Sequence, residues 1–171
     1  MKKYIAQVLF PYLAIIDIHI WMDTSSERPK FFNFLILAVN LIELFFVAKS
    51  LISTWKMSFG NNSTSECMKN IVYVKLLHIP AYVYIFAFGS SMLFIPLGFI
   101  ITIFCFFVDS WAIFITGLSM TFALVAKYKQ KEVSGKFALV HSVLAFVFCL
   151  DIIDGLYLRF KILKKSRLGS F

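Results

Sequence analysis

The sequence predicts an all-α integral membrane protein, a bundle of five transmembrane helices with six as the alternative. Three observations carry this. Hydrophobic residues make up 60% of the 171, with 21 Phe among them, and the mean hydropathy is +0.84. Charged residues are only 15%, against about 25% in an ordinary soluble domain. The apolar residues lie in long runs, and about 20 helical residues cross a hydrocarbon core of about 30 Å. A soluble fold of this size could not bury so much apolar side chain. The same composition excludes disorder. With 7 Gly, 4 Pro and 3 Cys, collagen-like and disulfide-rich classes are excluded too.

The first span is residues 4–22. Lys2 and Lys3 before an apolar run would also suit a secretory signal peptide. No small-x-small cleavage site follows, whereas Asp17, His19, Trp21 and Asp23 do. The segment therefore reads as a retained span with Trp21 at the interface. A polar loop over 23–30, holding Ser25, Ser26 and Pro29, leads to the second span, 31–54, which closes on Trp55. The longest loop is expected over 55–70. It holds the turn residues Gly60 to Thr64, as well as Cys67 and two overlapping N-x-Ser/Thr sequons at Asn61 and Asn62. The sequons matter only in a secretory setting.

Residues 71–127 have almost no polar interruption. Pro96-Leu97-Gly98 supplies the strongest break, giving spans 71–95 and 99–127. Turns at Gly89-Ser90-Ser91 and Asp109-Ser110 would instead give three shorter spans and the six-helix alternative. Ser90 and Ser91 can stay helical in lipid by bonding back to their own backbone. A loop over 128–136, with Ser134 and Gly135, precedes the last span, 137–160, and a basic tail, 161–171. No repeat and no room for a soluble domain are evident, so 1–171 is expected to be a single transmembrane domain. Five spans with the N-terminus inside divide the Lys and Arg almost evenly. Six spans give a slight inside excess, which the positive-inside bias favours.

The net charge is +8, from 17 Lys+Arg against 9 Asp+Glu. The basic residues flank apolar segments, where topology signals and anionic headgroups act, so membrane lipids rather than nucleic acid are the expected partners. Cys67, Cys105 and Cys149 show no CxxC or Cys/His spacing, and the three His form neither HxxxH nor HExxH. No catalytic constellation, metal or cofactor is expected, and the chain does not read as an enzyme.

The acids are the most informative feature. Asp17, Glu43, Asp109, Asp151 and Asp154, five of the nine, fall within expected spans, where a charge costs at least about 2.5–3.5 kcal/mol at the bilayer centre. By the helix rise they share one half of the bilayer and come from four helices. Glu43 is the deepest, about 18 Å from either end of its span, and Asn40 shares its helix face. Glu43, Asn40, Asp109, Asp151 and Asp17 are therefore the candidate intramembrane polar site, with Glu43 facing the bundle interior. Structural hydrogen bonding between helices is the competing account. Lys49 and Lys75 are expected to snorkel towards the opposite face. The small residues Ala112, Thr116, Gly117 and Thr121 are expected to face another helix.

At Lys75-Leu76-Leu77-His78-Ile79-Pro80-Ala81-Tyr82 and at Phe114-Ile115-Thr116-Gly117, the chain resembles a family of small bacterial polytopic membrane proteins of unknown function. The resemblance implies a bacterial inner-membrane, multi-pass location and supplies no activity or site residue. Two functional classes fit the residues. One is oligomeric transport, an ion or proton pathway using the intramembrane acids. The other is an accessory or immunity-type membrane protein that binds a partner in the bilayer. A solvent-connected cavity lined by Glu43 and Asp109 would separate them.

Overall fold

The computed structural model describes residues 2–22, 30–60, 64–96, 98–147 and 150–168. Every regular element among them is a helix. A 3-10 turn, Lys2–Tyr4, runs into α1, Ile5–Met22. Then come α2, Lys30–Phe59; α3, Thr64–Met92; α4, Gly98–Lys129; α5, Gly135–Leu144; and α6, Leu150–Leu168. Four helices, α1 to α4, are long and apolar enough to cross a membrane.

Of the four long helices, those consecutive in the chain run antiparallel. The start of α1 meets the end of α2, where Ser50 donates to the Lys3 carbonyl at 2.6 Å. The start of α3 meets the end of α4 through Lys127 to Ser65 and Gln130 to Thr64. At the other pole, His19 of α1 packs on Tyr84 and Phe88 of α3.

The distribution of side chains inverts that of a soluble protein. Phe31, Phe94 and Phe106 are 73%, 89% and 74% exposed, while Lys75, His78, Gln7 and Asp151 are 0–1% exposed. On α2 the inward stripe is Glu43, Val47, Ser50, Thr54 and Ser58, one helix face at spacings of three and four residues, made mostly of polar groups. Its other faces carry exposed Leu, Ile and Phe. α3 repeats the device with Ile71, Lys75, His78, Tyr82 and Ile85. Water would reward the opposite pattern, so the fold is compatible with a membrane protein.

Several expected boundaries move. Of the loop expected over 55–70, residues 55–59 and 64–70 are helix. Trp55 to Phe59 continue α2, and Thr64 to Asn70 open α3. Thr54, Ser58, Cys67 and Met68 are buried and fall at helical spacing, so packing overrides the local polarity. Cys67 accordingly sits in the core, not in a loop. Residues 23–29, where a polar loop is expected, and Asn61 and Asn62 lie outside the described residues. The break in the long apolar run falls between Met92 and Gly98. At Gly98 a Cβ would lie 1.9 Å from the Met92 carbonyl oxygen, which is why glycine opens α4.

The helix expected over 137–160 is not one helix. It is α5 and α6, and they fold back on each other. His141 and Asp154, 13 residues apart, touch side chain to side chain; in a straight helix they would lie about 20 Å apart. α5 starts on Ser134, whose hydroxyl accepts from the Phe137 amide. α6 then returns beside α3, with Gly155 against Lys75 and Leu158 in the core with Cys67, Met68 and Ile71. The tip of this hairpin wedges against α4 at Gly117, where a Cβ would sit 2.7 Å from the Ala145 carbonyl oxygen and 2.9 Å from the Phe146 ring. The small residue at 117 therefore serves the hairpin, while Ala112 and Thr116 are buried and Thr121 is half-buried.

Gly117→Ala should push the tip away from α4. An overpacked core contact costs about 1–3 kcal/mol, so thermal unfolding of the purified protein should show a clear loss of stability. Ser110→Ala, on an exposed position of the same helix, should not.

Candidate functional site

At the hairpin tip a lysine is buried among helix ends. The Lys75 ammonium donates to the Ala145 carbonyl, the cap of α5, and to Asp151 Oδ2, both at 3.4 Å. Asp151 lies in the first turn of α6. A cation at the C-terminal end of one helix and an anion at the N-terminal end of the next both suit the helix dipoles. The second carboxylate oxygen, Asp151 Oδ1, is buried without a hydrogen bond.

The cluster continues in both directions. On the side of the hairpin's open end, Asp154 acts electrostatically on Lys75 and pairs with His141 Nδ1. The His141 ring lies over Tyr157, with centroids 5.6 Å apart and planes 12° apart. On the other side Tyr82 feels both Asp151 and Asp109. Asp109 is 6% exposed, and its Oδ1 has no hydrogen bond.

His78 links this cluster to α1. Pro11 has no N–H, so the Gln7 carbonyl one turn earlier loses its helical donor. His78 Nε2 donates to that carbonyl at 2.7 Å. With Nε2 carrying the proton, Nδ1 accepts from the Tyr82 hydroxyl, 3.2 Å away. The carbonyl that Pro11 frees is thus met by a side chain of the facing helix. Pro80 likewise leaves the Leu76 carbonyl of α3 without its helical donor, and one residue on the Tyr12 hydroxyl of α1 donates to the Leu77 carbonyl at 2.6 Å. The Gln7 side chain also reaches Ser119 of α4.

A second polar feature lies between α1 and α2. A groove of about 640 Å³ runs between them, with Glu43 in its wall and Lys3 and Lys49 among its lining. Glu43 is 9% exposed, and its Oε1 has no hydrogen bond. Asp17 is its charged neighbour.

Residues 4–166 match a family of unknown function, DUF6652. The chain belongs to that family. No curated protein and no solved structure matches it.

The acids singled out from sequence occupy two places, not one. Asp17 of α1 acts electrostatically on Glu43 of α2. Asp109 and Asp151 lie beside Tyr82, with Asp154 close by, where α3, α4 and the hairpin meet. Asn40 is half-buried and donates to the Ile36 carbonyl of its own helix. The groove is lined by Glu43 but not by Asp109. Sequence reasoning missed Lys75, which it sent to the membrane surface; at 1% exposure it does not snorkel. Its signal was visible: between Asn70 and Lys127 the only charged residues are Lys75 and Asp109. His78, His141 and Tyr82 carried no such signal, because their partners come from distant segments. Among the described residues no group of three or more His, Cys, Asp and Glu could hold a metal ion.

The Pro11–His78 relation is testable as a pair. His78→Phe should strand the Gln7 carbonyl and cost about 1–3 kcal/mol. Pro11→Ala returns a backbone N–H to that carbonyl. The double variant should therefore be more stable than the sum of the two single changes predicts, read as a double-mutant cycle on thermal unfolding.

Proposed function

We propose that the chain is a multi-pass membrane protein with four crossing helices and a re-entrant α5–α6 hairpin, and that it conducts protons along the buried polar file. The file is His141–Asp154, Lys75–Asp151, Tyr82–His78 and Asp109. The single observation that carries the reading is the Lys75–Asp151 pair at the tip of two half-helices, halfway along α3 and α4, with a carboxylate oxygen left open. Irregular backbone at membrane depth occurs where it is buried in protein or lines a pathway, and intramembrane ionisable groups mark ion and proton paths. These groups are at most 9% exposed. Side chains packed so closely suit proton transfer rather than passage of a hydrated ion.

The basic residues support the topology. Lys3, Lys56, Lys69, Lys127, Lys129, Lys131 and Lys136 all fall at the pole where α1 and α3 begin and α2 and α4 end. Because the hairpin returns, Arg159, Lys161, Lys164, Lys165 and Arg167 of α6 lie towards that pole as well. At the other pole, among the described residues, Lys30 opens α2. The positive-inside bias, nearly balanced for five crossings, becomes strongly one-sided and assigns the basic pole to the cytoplasm. The accessory-protein reading has the exposed apolar faces of α2 in its favour, but contact with lipid accounts for those equally well.

In sealed vesicles, single cysteines at position 131 and after Leu168, in a background lacking the native cysteines, should react with a membrane-impermeant thiol reagent from the same side. A fifth crossing would put them on opposite sides.

Proton flux is the direct test. Liposomes holding the purified protein and a pH-sensitive dye should dissipate an imposed pH gradient faster than empty liposomes. Asp151→Asn should reduce that rate at least about tenfold, as expected for loss of a required proton carrier. Asp109→Asn, which breaks no hydrogen bond, should also slow it, and Lys56→Gln should not. A wild-type rate equal to that of empty liposomes would overturn the reading.

A further inference from the structure

We infer that the groove between α1 and α2 is a binding site for an anionic phospholipid. It takes the phosphate between Lys3 and Lys49 and one acyl chain along its length. The inference rests on the membrane reading above but not on the proton file, which lies elsewhere in the bundle.

The groove is amphiphilic end to end. Lys3, Lys49, Ser50 and Ser53 line it towards the basic pole, and both lysines are exposed. Ser50 spends its proton on the Lys3 carbonyl, which fixes the start of α1 against α2, and the exposed Lys3 ammonium rests on Met57 Sδ at 3.7 Å, a weak contact that a phosphate can replace. Beyond them the walls are apolar: Leu9 and Leu13 on α1, Val39 and Ile42 on α2. At about 640 Å³ the space falls within the roughly 300–1,000 Å³ typical of ligand sites.

The lengths agree. From Lys3 to Leu13 and from Lys49 to Val39 the helices each advance about 15 Å. That is the depth of one leaflet of a hydrocarbon core about 30 Å thick. A lipid whose phosphate sits at the lysines therefore has its chain alongside the apolar walls to the bilayer middle. Glu43 lies about 9 Å beyond Lys49 by the same rise. Among the described residues, no basic residue besides the two lysines lines the groove, so the headgroup has one level at which cations meet it. The positive pole faces the leaflet in which anionic lipids attract juxtamembrane bases.

The test uses the full-length protein in detergent, offered equal amounts of phosphatidylglycerol and phosphatidylcholine with the same 16:0/18:1 chains, with bound lipid counted by native mass spectrometry. The wild type should retain phosphatidylglycerol preferentially. Each of Lys3→Gln and Lys49→Gln should lower the phosphatidylglycerol-to-phosphatidylcholine ratio about fivefold, and the two arginine replacements should preserve it. Lys56→Gln, on the same pole but outside the groove, should leave it unchanged. Ala6→Phe, which fills the groove, should lower the amount of lipid held. Equal retention of the two lipids by the wild type, or an unchanged ratio in both glutamine variants, would overturn the site. A wild type that retains neither lipid would overturn the membrane reading with it.

Discussion

The Lys75 ammonium must be neutralised where it sits. It lies 11 residues into a 29-residue helix, too deep for its side chain to reach water at either end. An ion left there without partners would cost several kcal/mol. Its partners are not on α3. They are the capping carbonyl of α5 and the first-turn carboxylate of α6, and the two can meet at one point only if the chain breaks between 144 and 150. A single cation thereby gathers the end of one short helix and the start of another, and each contact agrees with that helix's dipole. The rest of the hairpin follows from this anchor. Gly117 gives the tip its close approach to α4, and His141 and Asp154 pair because the two arms run side by side.

Most of the long helices could be read from the sequence because each is bounded by chemistry local to it. Pro96 and Gly98 end one helix and begin another, and Ser134 caps a third. The hairpin could not be read in this way. Residues 144–150, Leu-Ala-Phe-Val-Phe-Cys-Leu, contain no Gly, Pro or Asn, and their hydropathy is that of an unbroken span. The break is imposed by Lys75 and Gly117, which precede it by 70 and 28 positions. A window that averages hydropathy along the chain cannot register a constraint arriving from another helix. The same holds for the candidate site. Glu43 and Asp109 stood out because they interrupt apolar runs, but their separation into two groups depended on how the last segment returns.

The interior polar groups also explain how Pro11 is tolerated in α1. In water, a carbonyl freed by Pro11 would be solvated. In an apolar surround it needs a donor from the protein, and His78 supplies one while staying neutral. The α1–α3 seam is thus held by directional bonds at the levels of Gln7 and Leu77. Hydrophobic burial contributes little to holding helices together when their outer faces meet lipid. Hydrogen bonds and close packing must do most of that work, and the buried stripes of α2 and α4 are accordingly rich in Ser, Thr, Gly and Ala.

Charge distribution and backbone geometry point to the same course for the last segment. A continuous helix from Gly135 to Leu168 would be about 50 Å long, well beyond a hydrocarbon core of about 30 Å. It would carry Arg159, Lys161, Lys164, Lys165 and Arg167 to the pole opposite Lys127, Lys129, Lys131 and Lys136, against the positive-inside bias. It would also separate His141 from Asp154 by about 20 Å and deprive Lys75 of either the Ala145 carbonyl or the Asp151 carboxylate. Folding back at the tip satisfies the buried cation and keeps the bases on one side. It also sets the open oxygen of Asp151 at the level of Lys75 and Tyr82, between Asp154 on one side and Asp109 on the other. In the proposed reading the ion pair that closes the fold also joins the two halves of the polar file, so removing it would disconnect the interior as well as loosen the hairpin.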